Sequence, residues 1–252
     1  DSQNSVLAKE SGLNLRLGGL DLSFQAPEMS FIDSQKNIKK DASQKAVLYF
    51  TGCLANQLAP TIAQSSVTLL KTLAETEAIT PQTQGCCGMA SLAAGDHEQA
   101  LRLAKQNITA FSTPDTIALP IFTSCSSCFS ALRQYPELFQ NDPSWQNKAE
   151  QFAQRVCEFS SFITENRPKQ LPALELKPEA TTKKVFYHDP CHLRFGHPNG
   201  TAPFPPITSP PRTLLKTTLG ICPTELPRGA LCCGQGGLFH LSNPELSATI
   251  CN

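Results

Sequence analysis

A bias of charge is what this sequence most plainly lacks: Lys+Arg and Asp+Glu each number 21 in 252 residues, so the formal net charge is zero. Phosphate binding calls for a basic patch or stripe, which shows as a positive balance or a Lys/Arg run. Neither is present, so no nucleic-acid partner is expected. Long apolar runs are missing too. Val47 to Phe50 and Ile117 to Phe122, with Pro120 inside, are strand-sized, far short of the ~18 residues that span a bilayer. Membrane contact is expected only through partners or quinone. The familiar nucleophile, phosphate and zinc-protease strings GxSxG, P-loop, GxGxxG and HExxH are absent, which removes the hydrolase and nucleotide-binding readings that rest on them.

What is present is thiol. Eleven cysteines are too few for a small disulfide scaffold and many for an ordinary intracellular enzyme. No charged and apolar leader opens the sequence, so the expected location is cytoplasmic, at most peripheral at the inner face of a membrane. In that reducing compartment, metal or redox chemistry is the better use of so many thiols. The chain starts at Asp1, and Asn252 follows a helix-start signal at Asn243-Pro244-Glu245 by a few residues. A piece of a longer protein is the expectation.

Residues 1–45 are polar around one apolar stretch, Leu13 to Leu22, broken by Gly18 and Gly19, and read as a linker or arm. A Pro-containing polar stretch at 167–184 reads as a second linker. Pro198 to Pro211 carries six prolines in fourteen residues, and its reading is a surface loop. These breaks leave cysteine-rich domains at 46–166 and 185–252, the second incomplete.

The two domains repeat one pattern. Val47-Leu48-Tyr49-Phe50-Thr51-Gly52-Cys53 matches Val185-Phe186-Tyr187-His188-Asp189-Pro190-Cys191 as a β-forming segment, a turn residue and a cysteine. Cys86-Cys87-Gly88, then Leu92, then Asp96-His97-Glu98 matches Cys232-Cys233-Gly234, then Leu238, then Asn243-Pro244-Glu245, with one residue inserted. Each copy reads as strand, Cys, helix, Cys-Cys-Gly turn, helix. Ile62, Ser66, Leu69, Leu70, Leu73 and Ala74 share a helical face. Asp96 can cap a helix with Gln99, whose buried stripe is Ala100, Leu101, Ala104, Ile108 and Phe111. Asp142-Pro143 starts a third helix, which is expected to extend to Cys157. Val47 to Phe50, Ile117 to Phe122 and Val185 to His188 are apolar without strict alternation, as strands covered on both faces are. The expected fold is therefore α/β, two similar units each with a small parallel sheet flanked by helices.

In a parallel α/β unit, residues just after neighbouring strands share the edge of the sheet where ligands bind. Cys53 follows one expected strand and Cys125 another. Cys53, Cys86, Cys87, Cys125 and Cys128 can thus converge from three loops, and Gly88 allows a left-handed turn and close approach of the backbone to a bulky inorganic group. Five thiols exceed the four ligands of structural zinc and the four thiolates of a cubane cluster. The excess suggests a cluster with a bridging thiolate, or one spare reactive cysteine. A disulfide net and a structural zinc site are the blander alternatives, the first weakened because adjacent cysteines bridge only with strain. His188 and His192 flank Cys191 as metal ligands or as groups supporting one. Cys157 reads as a small buried hydrophobe, and Cys222 and Cys251 as bystanders.

Cys, long gap, Cys-Cys-Gly, long gap, Cys-x-x-Cys, occurring twice, resembles the cysteine-rich CCG domain found in heterodisulfide reductase and in the iron-sulfur subunits of glycolate oxidase and lactate utilisation complexes. Tyr187-His188-Asp189-Pro190-Cys191-His192-Leu193 and Cys232-Cys233-Gly234-Gln235-Gly236-Gly237-Leu238-Phe239 look most like the glycolate oxidase branch. By that resemblance Cys53, Cys86, Cys87, Cys125 and Cys128 hold one centre, and Cys191, Cys232 and Cys233 begin a second. The implied cofactor is a [4Fe-4S] cluster, noncubane in heterodisulfide reductase, with zinc as the alternative at one site. The implied role is an electron-transfer subunit that accepts electrons from an FAD-containing dehydrogenase acting on a 2-hydroxy acid and passes them toward quinone. Heterodisulfide reduction and a zinc-bound docking module are the other readings. Family members of this branch carry two ferredoxin-like cluster motifs before the CCG domains. None precedes Cys53 here, so that domain is expected in a missing segment or on another chain. The second copy also stops before the closing cysteines of the pattern.

Overall fold

The computed structural model describes residues 12–17, 20–25, 30–34, 45–168, 184–195, 204–225, 231–234, 236 and 239–251. Gly12–Leu17 (β1) and Leu20–Gln25 (β2) form an antiparallel ladder with Leu15 opposite Leu22. The segment read as an arm therefore holds a hairpin, its two strands flanking Gly18 and Gly19. It also holds a short helix, Phe31–Ser34 (α1). Phe31 is buried, its ring edge-on to Tyr49 at 6.0 Å, and the Ile32 N–H donates to Asn56 Oδ1 at 2.8 Å. This end of the arm belongs to the core of the unit that follows.

Four parallel strands organise the first unit: Lys45–Tyr49 (β3), Thr76–Ile79 (β4), Ile121–Thr123 (β5) and Val156–Glu158 (β6), in spatial order β4-β3-β5-β6. The chain leaves β3 for β4 on one side and later places β5 on the other. The loops after β3 and β5 thus part at the topological switch point, where an open α/β sheet forms a crevice at its carboxyl edge. Alternate residues of β3 and its extension bury opposite faces, Leu48 and Phe50 in one core and Val47 and Tyr49 in the other. All four are fully buried, which is why the strand is apolar without alternation.

A π-helical turn at Leu54–Leu58 leads into Pro60–Ala74 (α2), which buries Ala63, Ser66, Leu70, Leu73 and Ala74. Ile62, expected on that face, is 44% exposed; the buried stripe is rotated away from it, carried by Ala63 and Ser66. Met89–Ala93 (α3) follows the Cys-Cys-Gly turn. His97–Ala110 (α4) is capped by Asp96 Oδ1, which accepts the Gln99 N–H at 3.0 Å. Ser126–Arg133 (α5) and Tyr135–Leu138 (α6) come next, then Pro143–Gln154 (α7), where Asp142 accepts the Ser144 N–H. Phe159–Asn166 (α8) closes the unit.

Three expected elements differ. The strand at Ile117 to Phe122 shrinks to β5, because Thr113 to Leu119 form turns and Arg155 donates to the carbonyls of Phe111, Thr116 and Leu119. Cys157 lies in β6 rather than in α7, since the helix ends at Arg155, whose carbonyl accepts the Ile121 N–H. Val185 to His188 gives a single parallel bridge, Phe186 to Thr224, with the Phe186 ring half exposed.

The rest of the second unit comprises Cys191–Arg194 (α9), Ser209–Leu219 (α10), Phe239–Ser242 (α11) and Pro244–Cys251 (α12). Residues 196–203 of the proline-rich stretch, and 169–183 of the expected linker, lie outside the described residues. Pro210 and Pro211, assigned to that loop, instead sit in the first turn of α10, where a missing N–H costs nothing. Phe204 is buried against Phe129, ring centroids 4.7 Å apart, and docks the second unit on α5.

Candidate metal centre

The crevice at the switch point is lined by thiols. Cys53 follows β3 and Cys125 follows β5. Cys86 and Cys87 lie in the loop after β4, and Cys128 lies in the first turn of α5. Cys53 Sγ and Cys86 Sγ are 3.7 Å apart. Cys86 neighbours Cys87, Cys87 contacts Cys128, and Cys128 contacts Cys125. The sequence-predicted set is therefore brought together as a row of five sulfurs, with Cys87 and Cys128 buried and Cys53 exposed. Among the described residues, no three Cys, His, Asp or Glu side chains close round a single point as a preformed single-ion site.

The electrostatics prepare thiolate, the form that binds metal. The Cys53 thiol donates to Cys86 and holds it down at about 2. The same contact, with burial, pushes Cys53 up. Cys125 is lowered to about 6, chiefly by the Cys128 thiol and, against burial, by the backbone N–H groups of Ser127 and Cys128 at the start of α5.

Backbone geometry fits the sulfurs closely. Gly52 adopts φ +71°, and a Cβ there would meet Cys128 Sγ at 2.8 Å. The two Cys-Cys-Gly glycines also have positive φ, +85° at Gly88 and +70° at Gly234. Their freedom serves helix packing: Gly88 backs onto Ala100 of α4, and Gly234 onto Ser247 of α12, where a Cβ would meet the Ser247 carbonyl at 2.6 Å. The matching partners make the sequence repeat a structural one.

Polar side chains that sequence reasoning passed over hold the first Cys-Cys-Gly turn. Asn107, fully buried in α4, accepts the Gly85 N–H at 2.8 Å and donates to the Cys86 carbonyl and to Tyr135 Oη, both at 2.9 Å. Tyr135 donates to the Cys87 carbonyl at 3.1 Å. Burial raises the Tyr135 phenol well above its ordinary value, so it stays a donor. Gln84 accepts the N–H and hydroxyl of Thr51 and donates to the Tyr49 carbonyl, tying the loop after β4 to the end of β3. One signal for Asn107 was available: a polar residue on the apolar stripe of α4, between Ala104 and Ile108.

In the second unit Cys191 starts α9 and lies beside Cys232 and Cys233. Burial, then the Cys232 neighbour, raises its thiol. The Gly234 N–H points at Cys232 Sγ, 3.3 Å away. These three predicted residues meet as well, with Cys232 and Cys233 exposed; Cys222 and Cys251 are exposed too. His188 Nε2 contacts the Leu231 carbonyl at 3.0 Å, and His192 Nδ1 contacts Ser127 Oγ at 2.9 Å, between Cys125 and Cys128. The Asp-Pro-Cys loop is pinned by Asp189, whose buried carboxylate takes a two-pronged contact from Arg212 at 2.7 and 3.1 Å and a third from Arg194 at 3.0 Å. Burial pushes the Asp189 carboxyl up, and the two arginines, Arg212 first, more than reverse it, so it titrates below the usual range.

Known proteins share this arrangement. The family model for the cysteine-rich CCG domain matches residues 47–133 and 185–251. The probable glycolate oxidase iron-sulfur subunit of Bacillus subtilis (strain 168) is 32% identical over 209 residues, 82% of this chain and 43% of that protein. Lactate utilization protein A of Bacillus pumilus (strain SAFR-032) is 30% identical over 198 residues, 79% of this chain and 76% of that protein. Its counterpart in Exiguobacterium sp. is 32% identical over 205 residues, covering 80% and 76%. The chain thus spans under half of the first relative and about three quarters of the other two. With two matched copies, each built round its own Cys-Cys-Gly turn, the chain belongs to the cysteine-rich CCG domain family.

Proposed function

We propose that the chain is an iron-sulfur electron-transfer subunit of a flavin-dependent 2-hydroxy acid oxidation system of the glycolate or lactate type. The observation that carries this is the row of five thiols at the switch point of the parallel sheet. A metal–sulfur bond of about 2.3 Å at tetrahedral angles places two thiolates of one ion about 3.8 Å apart. The 3.7 Å between Cys53 and Cys86 matches that spacing. Five sulfurs in a row suit a multi-metal group such as a noncubane [4Fe-4S] cluster. When bound, such a group supplies one-electron storage and release.

The ligands in this reading are Cys53, Cys86, Cys87, Cys125 and Cys128. Buried Cys87 and Cys128 shield the group from water, and exposed Cys53 marks the edge where electrons enter or leave. Asn107 and Tyr135 hold the Cys-Cys-Gly peptide groups still while charge changes. Cys191, Cys232 and Cys233 are the second ligand set, and three thiols with an open fourth position also suit zinc. The two units run 46–166 and 185–252, after the arm at 1–45 and across a linker at 167–184.

The relatives' names, a glycolate oxidase iron-sulfur subunit and lactate utilization proteins, supply the substrate class. The partner is an FAD-containing dehydrogenase subunit that performs the hydride chemistry, with a ferredoxin-like cluster domain between it and this chain and quinone beyond. No helix among the described residues is long and apolar enough to cross a membrane. The chain works in the cytoplasm and meets a membrane through its partners.

Anaerobic purification with iron and acid-labile sulfide analysis, and paramagnetic resonance of the reduced protein, tests the reading. Iron and sulfide in comparable amounts are expected, with the signal of the first centre lost in Cys86→Ser. Zinc without sulfide would overturn it, and turnover of a heterodisulfide by the isolated chain would move it to the reductase class.

A further inference from the structure

A cavity of about 630 Å³ opens between α3, α4, α5, α6 and α9, outside the thiol row. Its walls come from both units and lie next to both cysteine sets. Met89 is two residues beyond Cys87, and His192 is one beyond Cys191. Met89, Leu101 and Leu138 make the lining mostly apolar, and no Lys or Arg contributes to it.

Those features decide what fits. Volume and lining are those of a small-molecule site, an apolar hollow with a few convergent polar groups. With no cation to pair a carboxylate or phosphate, and with Glu137 in the wall, an anionic hydroxy acid or nucleotide would be buried without compensation. A neutral molecule with hydrogen-bond acceptors meets no such penalty. His192 supplies a donor: with Ser127 Oγ donating to Nδ1, the ring proton sits on Nε2. Gln134, whose amide nitrogen donates to Ser130 Oγ at 2.7 Å, keeps a second amide hydrogen.

We infer that this cavity binds a neutral, flat, largely apolar carbonyl ring compound of the quinone class, seated between the two cysteine sets. The inference rests on the electron-transfer reading for its ligand class and adds the place and the residues. It predicts that a hydroxy acid does not bind here and that the ligand is shared between units rather than owned by one.

The test is binding of menadione to the full, anaerobically purified chain, measured by saturation-transfer NMR and titration calorimetry, with iron and sulfide determined on each sample. Saturable binding is expected in the parent chain, weakened at least tenfold by Leu101→Arg, which places a cation in the wall. Leu58→Arg, on the exposed turn before α2, should leave it unchanged. His192→Phe keeps the volume and removes the donor, so it should weaken binding even if Leu101→Arg fails to fold. Undiminished binding in folded Leu101→Arg or in His192→Phe, competition by glycolate or lactate, or no binding by the parent chain each overturns the inference. Binding without iron or sulfide leaves the cavity assignment standing and removes the electron-transfer reading; iron and sulfide without binding does the reverse.

Discussion

The two cysteine-rich units share a pattern and differ in how they hold it. In the first, a four-stranded parallel sheet fixes the thiols, and buried amide and phenol groups fix the peptide units between them. In the second, strand pairing among the described residues is one bridge, two of the three thiols are exposed, and the loop ahead of Cys191 is anchored by charge through Asp189, Arg194 and Arg212. The same Cys-Cys-Gly turn can therefore be made rigid by hydrogen-bonded burial or by an ion cluster. The first mode should be indifferent to pH in the acid range, the second not.

Gly52→Ala should break the first unit most severely. A residue at positive φ costs about 1–2 kcal/mol, and the new Cβ must displace Cys128 Sγ from 2.8 Å. Loss of most of the iron in the first site, with the second site's metal retained, is the expected elemental and spectroscopic result.

Asp189→Asn strikes the second unit. Removing a buried carboxylate from two guanidinium partners costs about 3 kcal/mol. Limited proteolysis should cut first between the units and only later within 46–166. Acid does the same to the parent chain. The Asp189 carboxyl titrates low in the folded state, so its stabilisation is present above the unfolded value of about 3.9 and disappears as pH falls below it. Circular dichroism against pH should show a partial transition there, and Asp189→Asn should abolish it.

Tyr135→Phe sharpens the comparison more gently. It removes one hydrogen bond to the Cys87 carbonyl and leaves Asn107 a donor short of a partner, a cost of about 1–2 kcal/mol in urea unfolding. The midpoint potential of the first centre should shift while its iron content stays unchanged. Cys157→Ser should matter least. The thiol sits half-buried in β6, away from the row, so full iron content with under about 1 kcal/mol of lost stability is expected.

The sequence made the convergence of thiols legible because it depends on local signals: short β-forming runs that each end in a cysteine, and caps such as Asp96 and Asp142 that start helices where expected. What it hid depended on distant partners. Residues 117–119 look like strand, yet Arg155, many residues later, takes the carbonyls that a ladder would need. Cys157 follows a helix without a helix-stop residue, and only pairing with β5 shows it to be strand. Asn107 and Tyr135 belong to a network whose members lie 28 residues apart. Asp189 stands within the repeated motif, but its role needed Arg212, 23 residues on.

The most direct test of the account is iron K-edge X-ray absorption on the anaerobic chain with Cys191, Cys232 and Cys233 all replaced by serine, so that only the switch-point thiols remain. An all-sulfur first shell, iron–iron scattering and about four irons per chain are predicted. Iron absent, or present without an iron neighbour, would contradict the claim that the five thiols at the edge of the sheet hold one multi-metal centre.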